Sequence, residues 1–313
     1  MEQEHQHRRT YKTWINDSTR WTHYRPRAGD IVIATYPKCG TTWMQQIVSL
    51  LIFQSPEPRP VLELSPWIEA RFLLPVDVMT ALIEEQRHRR FLKSHLPFDG
   101  LPYDAQLRYI HVARDARDVC MSFFNHCSAF TPEAYAVLDA ASPELGPYPR
   151  CPDDPRVFWQ QWFTQGVVPG ARDGWPDLSF FELEATYWRA RRAENLLLVH
   201  YNDLKADLEG EMRRIAGFLA IEPPRDLWPR LVEAATFEAM KRHGETILAR
   251  ASNLFEGGAD RFFFKGANGR WRELMTGDDL VHYEQAARRL TPGLARWLEQ
   301  GRLSAGDPRT AAE

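Results

Sequence analysis

One stretch, DIVIATYPKCGTTWMQQIVSLLIF (residues 30–53), constrains the fold of this chain more than any other. Its first eight residues form a short apolar run rich in β-branched side chains and closed by a proline, which reads as a buried strand. The chain then turns at Gly40, and Trp43, Ile47, Leu50 and Leu51 recur at helical spacing. Three more runs read as strands: RFLKSH (90–95), LRYIHVAR (107–114) and NLLLVHY (195–201). Helical stretches lie between or after them, at DVCMSFFNH (118–126), VFWQQWF (157–163), LSFFELEATYWRARRA (178–193) and ADLEGEMRRIAGFLA (206–220). Strands alternating with helices predict a single α/β domain, a central parallel sheet with helices on both faces. Residues 30–300 are assigned to that domain, 1–29 to an N-terminal extension packed on it, and 301–313 to a flexible tail. The proline-rich segment 131–156 has little periodicity and reads as a lid or insertion.

Charge narrows the function classes. The 313 residues carry 39 basic and 42 acidic side chains, a net charge of −3, so the basic excess of a nucleic-acid binder is missing. Any anion must be held by a few placed groups. Only six of the basic residues are lysines, among them Lys38, Lys93 and Lys265. Cys39, Cys120, Cys127 and Cys151 are too few and too unevenly spaced for a disulfide framework or a zinc site, and read as free thiols. Histidines and acidic residues show no metal-ligand spacing, so no metal is expected. The opening MEQEHQHRRTYKTW has no apolar core, and the longest apolar run, IVSLLIF, is far short of a membrane span. These features imply a soluble, cytoplasmic protein without a membrane partner.

Four segments carry chemistry. In TYPKCGTTW (35–43) a strand ends, the chain turns, and a helix begins with two threonines. First-turn amides without intrahelical partners, the positive end of the helix dipole, and the Lys38 charge together make a phosphate cradle. The lysine precedes the glycine, unlike the Walker A order, and no hydroxyl follows it in the place that holds magnesium. In HVARDARDVCMSFFNH (111–126), Arg114 ends a strand and would face the same crevice as Lys38, where a guanidinium grips a second phosphate; Ser122 lies two turns into the next helix. In FLKSHLP (91–97), His95 sits just past another strand end beside Lys93, where a neutral imidazole could take a proton from a hydroxyl. In FFFKGANGRW (262–271), two glycines stand with a lysine and an asparagine in a loop whose backbone could approach an anion.

With these segments in this order, the chain resembles the cytosolic sulfotransferases, which move a sulfonate from 3′-phosphoadenosine 5′-phosphosulfate to a hydroxyl or amine. The resemblance spans about residues 30 to 275. It implies a P-loop-like fold, a bisphosphate product and no metal. It implies that Lys38, with the amides from Cys39 through Gly40 and Thr41 to Thr42, holds the 5′-phosphosulfate, and that Trp43 packs on the adenine. Arg114 and Ser122 would bind the 3′-phosphate, with Lys265 and Gly266 closing over it. Tyr201, Thr236, Phe237 and Met240 match nucleotide-contacting positions. His95 would be the general base and Lys93 would steady the transferring group. SPWIEARFL (65–73) resembles an acceptor-lining segment, making Trp67 a wall, with Phe123, His126, Phe130 and Tyr135 as further contributors. Three departures stand out. The family often has arginine where this chain has Phe264, and Arg261 or Arg270 would have to substitute. Cys39 replaces a usual serine. The common dimerisation segment has no counterpart in WRELMTGDDLVHYEQ, so no oligomeric state is implied. The rival readings are a magnesium-dependent kinase on a related fold, and a homologue that binds nucleotide without turnover.

Overall fold

The computed structural model describes residues 8–313, so the first seven residues of the expected N-terminal extension lie outside the described chain. Four strands, β1 (Ile31–Thr35), β2 (Phe91–Ser94), β3 (Arg108–Ala113) and β4 (Leu196–His200), form one sheet in the order β2-β1-β3-β4. Every pairing is parallel; Ile31 lies opposite Phe91 on one side and Arg108 on the other. The strands are covered on both faces, which is why they read as continuous apolar runs. Successive β1 residues alternate between two cores. Ile31 and Ile33 pack with Met44, Ile47, Met212 and Ile215, whereas Val32 and Ala34 pack with Trp159, Trp162, Phe180 and Tyr187.

The helices that make these cores are α1 (Thr41–Phe53), α2 (Ala116–Cys127), α3 (Pro132–Ala141), α4 (Pro155–Thr164), α5 (Phe180–Ala190) and α6 (Leu208–Leu219). Side chains of Asp115, Thr131, Asp154, Ser179 and Asp207 accept from first-turn amides and fix where helices α2 to α6 begin. The strand read to Tyr201 stops at His200, whose imidazole caps a short helix that Tyr201 opens.

Residues 131–156, read as a lid or insertion, hold α3, and its Ala134 and Leu138, with Tyr148 beyond it, are buried. The expectation of a flexible tail needs correction. Residues 301–313 are docked. The Arg191 guanidinium donates to the carbonyls of Pro308 (2.9 Å) and Ala311 (3.0 Å), and Asp203 accepts from the amides of Arg302 (2.7 Å) and Leu303 (3.0 Å). At the other end Tyr11, Trp21 and Tyr24 join the core. Because all four strands run the same way, their carboxyl ends share one edge, and the residues just past Thr35, Ser94, Ala113 and His200 converge there.

Candidate active site

Between β1 and α1 the backbone is strained where a cradle needs it. Lys38 has φ of 71°, a left-handed conformation that costs a non-glycine residue about 1–2 kcal/mol. Gly40 has φ of 110°, and a Cβ there would come within 3.1 Å of the Tyr201 ring. The hydroxyls of Thr35 and Thr41, 2.5 Å apart, tie the strand end to the helix start. The first bond of α1 runs from the Met44 amide to the Gly40 carbonyl (2.9 Å), so the amides of Thr41, Thr42 and Trp43 have no intrahelical acceptor. Cys39 does not join them. Its amide donates to the Tyr36 carbonyl (3.2 Å), and its side chain is buried in the core, where desolvation pushes the thiol pKa up.

Arg114, the first residue past β3, sits against this loop. Its guanidinium donates to the Lys38 carbonyl (3.2 Å) and to Asn268 (2.7 Å), and lies 4.0 Å from the Tyr201 ring centre. Its Nε is buried without a partner, an open donor in a cationic pocket. The loop carrying Asn268 is pinned by the Gly269 amide, which donates to Asp118 (2.6 Å). Around Phe264 the guanidinium carbons of Arg261 and Arg270 lie 5.1 and 4.6 Å from the ring centre, and Lys265 Nζ lies 5.5 Å away. Burial, then the nearby Arg261 charge, lowers the Arg270 pKa. Four cations therefore share one wall of the cavity.

His95 follows β2. Its Nδ1 lies 2.7 Å from the Thr35 carbonyl, an oxygen that only accepts, so the ring proton sits on Nδ1 and the Nε2 lone pair is left free. Burial first, then the Lys93 charge, holds the imidazole well below its ordinary pKa and so neutral at physiological pH. The loop is fixed by Glu69, whose buried carboxylate accepts from the His95 amide (2.6 Å), Ser94 (2.8 Å), Trp67 (2.7 Å) and Trp21 (2.8 Å). Lys93 Nζ lies 4.0 Å from the Trp67 ring centre, and the Trp67 and His95 rings meet edge to face at 4.7 Å. Lys38 Nζ donates to His126 Nδ1 (3.2 Å) and lies over the Phe262 ring. Burial lowers Lys38 to about 7 and Lys93 to about 8.

A cavity of about 420 Å³ joins these groups. The sequence-derived residues Lys38, Gly40, Thr41, Thr42, Trp43, Trp67, Lys93, His95, Arg114, Ser122, Phe123, His126, Phe130, Tyr201, Phe237, Met240, Lys265 and Gly266 all line it. Thr236 does not: its hydroxyl is spent capping the helix Phe237–Arg242. Tyr135 also stays outside, receiving a hydrogen bond from the Cys151 amide (3.2 Å). Sequence reasoning missed Ile15, Phe255 and Asp177 on the cavity wall; it marked the segments of Phe72, Tyr148 and Glu69 without naming these residues, of which Glu69 stands behind the wall. Asp177 Oδ1 accepts from Asn16 (2.9 Å) and the Leu178 amide (2.8 Å), whereas Oδ2 has no partner; burial lifts the carboxyl to about 7. No local pattern marks these residues, because they come from loops that only tertiary packing brings together.

An anion cradle at a helix start and an unprotonated imidazole in one cleft, on a parallel sheet, define an α/β transferase that works on a nucleotide-borne anion. The sulfotransferase domain family matches residues 28–294, and the chain belongs to it. A glycolipid sulfotransferase of Mycobacterium tuberculosis is 31% identical over 93% of this chain and 94% of its own. Human sulfotransferase 1E1 is 25% identical over 85% of each chain. Among solved structures, mouse sulfotransferase SULT7A1 complexed with PAP shares the fold at a TM-score of 0.65, with 18% identity over 90% of this chain and 92% of that one. Retinol dehydratase with androsterone and PAP aligns at 0.66, with 21% identity over 84% of this chain and 81% of that one.

Proposed function

We propose that the chain transfers a sulfonate from 3′-phosphoadenosine 5′-phosphosulfate to a hydroxyl or amine of an apolar acceptor, with His95 as general base. The observation that carries this reading is the placing of His95, which lines the same cavity as the Lys38 cradle and whose Nδ1 is held by the Thr35 carbonyl, leaving Nε2 without that partner. The residues present fit the nucleotide: free α1 amides and Lys38 suit a 5′-phosphosulfate, and the unpartnered Arg114 Nε suits a 3′-phosphate beside Ser122. Trp43, Tyr201, Phe237 and Met240 would flank the adenine, while Lys265 and Gly266 close the loop. Arg261 and Arg270 stand in for the arginine that Phe264 replaces.

The bound donor supplies a sulfonate whose bond to the 5′-phosphate oxygen breaks as a bond to the acceptor oxygen forms. His95 Nε2 takes the acceptor's proton, a contribution of about 10²–10⁴-fold. Lys38 and the α1 amides stabilise the charge left on the 5′-phosphate, and they do so already held in place by the fold. Lys93 steadies the group in transit. The mycobacterial relative acts on a glycolipid, which agrees with an acceptor that is apolar over much of its length. Supplying donor labelled in its sulfonate with a panel of phenols, sterols and primary alcohols tests the reading. Label should pass to at least one class; label passed to none, by protein that still binds the bisphosphate product, would leave only a nucleotide-binding homologue.

A further inference from the structure

Among the described residues eleven large apolar side chains are exposed beyond a third of their surface, and six of them lie at the cavity or on segments leading from it: Leu73, Leu74, Val78, Leu82, Val137 and Leu145, each 39–46% exposed. Isolated exposed leucines are ordinary, but a contiguous apolar patch beside a pocket marks something that covers it. Leu73 and Val137 line the cavity and also face solvent, so they form its lip from two sides. Arg71 forms an ion pair with Glu144, which draws the segment ending at Leu145 to the chain just before Leu73. From Leu73 the patch runs outward. Leu74, Val78 and Leu82 repeat every four residues, the last two on a strip of the helix Val76–Glu85 that adjoins its buried Met79 and Ile83, while Asp77, Glu84 and Glu85 occupy the outward side. The apolar surface of that helix is therefore wider than its buried stripe, and Val78 and Leu82 are the part left in solvent.

We propose that this lip and stripe receive the hydrocarbon chain of an amphiphilic acceptor whose hydroxyl end reaches His95. The proposal rests on the sulfonate-transfer reading and names its acceptor class. Volume is the second argument. The cavity of about 420 Å³ runs from the nucleotide cradle to the aromatic wall and opens at the lip of Leu73 and Val137, so a chain that outgrows its acceptor end leaves through that mouth. What it meets on leaving is Leu74, Val78 and Leu82, and the two charges beside the lip, Arg71 and Glu144, pair with each other.

The test is a series of straight-chain primary alcohols from 1-butanol to 1-hexadecanol, each kept monomeric, assayed with the labelled donor. Wild-type kcat/KM should rise about two- to fourfold for each methylene that lands on the stripe. The double variant Val78→Gln, Leu82→Gln should keep the wild-type melting temperature and short-chain kcat/KM but flatten the series once the chain passes the mouth. Equal slopes in both proteins, or a wild-type kcat/KM that falls once the chain outgrows the cavity, would overturn the proposal. So would an unchanged slope with loss of binding to phosphatidylcholine vesicles, which would make the patch a membrane-docking face. Absence of turnover at every length in protein that binds the bisphosphate product overturns this acceptor class alone, whereas failure to bind that product overturns the sulfonate-transfer reading beneath it.

Discussion

The two ends of the cavity are built differently. The nucleotide end is made of backbone: a left-handed Lys38, a left-handed Gly40, free α1 amides, and Arg114 one residue past a strand. Its chemistry follows from where strands stop. The acceptor end is made of side chains from four separate segments, with Ile15, Trp67, Phe72, Tyr148 and Asp177 meeting only in the folded protein. The first end can change little without losing its geometry, whereas the second can be repacked by single substitutions. Donor choice is thus tied to the fold, and acceptor choice to loops laid over it.

Four measurements break or sharpen that contrast. The largest effect belongs to the point where the two ends touch. His95→Ala should lower kcat by about 10²–10⁴-fold and leave affinity for adenosine 3′,5′-bisphosphate within about twofold; wild-type turnover would remove His95 as base. At the nucleotide end, Arg114→Ala should cost about 1.5–3 kcal/mol, a loss of about 10- to 100-fold in affinity for the bisphosphate. Affinity for 5′-AMP should barely change, and an unaltered preference for the bisphosphate would misplace Arg114.

The third effect is a proton. In the nucleotide-free protein the depressed Lys38 is largely neutral above about pH 7, and a bound anion restores its charge. Binding at about pH 8 should therefore take up as much as one proton per nucleotide, and at about pH 6 almost none, because Lys38 is charged there already. Titration heats compared between buffers of different ionisation enthalpy measure the uptake; equal heats at the higher pH would mean that Lys38 is charged before the nucleotide arrives. The smallest effect at the site is Cys39→Ser. Nucleotide affinity should stay within about twofold because the side chain points into the core, while an unpaired buried hydroxyl costs about 1–3 kcal/mol in thermal unfolding. Tighter nucleotide binding by that variant would show that the side chain reaches the cradle.

The contrast also explains what could be read in advance. All four strands lie within the runs read as strands, and the residues just beyond them make up the proposed site, because a parallel sheet sends every strand's carboxyl end to one edge. Helix α3 escaped because the prolines of 131–156 suggest breaks, yet the only one within the helix, Pro132, occupies the first turn, where a missing amide costs nothing, and Thr131 caps it. The docking of the tail depends on Arg191, more than a hundred residues away in sequence. Thr236 and Cys39 match family positions in sequence, but one hydroxyl is turned into a cap and the thiol into the core. Glu69 carries no signal at all, since a lone glutamate in SPWIEARFL looks like any surface carboxylate until four donors are seen around it.

The central claim, a cradle for a 3′,5′-bisphosphorylated adenosine held by side chains and amides, is tested most directly by calorimetric titration in the presence of a chelator. Adenosine 3′,5′-bisphosphate is set against ATP, and ATP is repeated with magnesium in place of the chelator. The account predicts clear binding of the bisphosphate under chelation and a much weaker response to ATP under either condition. Binding of magnesium-ATP alone, with silence from the bisphosphate, would contradict it and point to phosphoryl transfer instead.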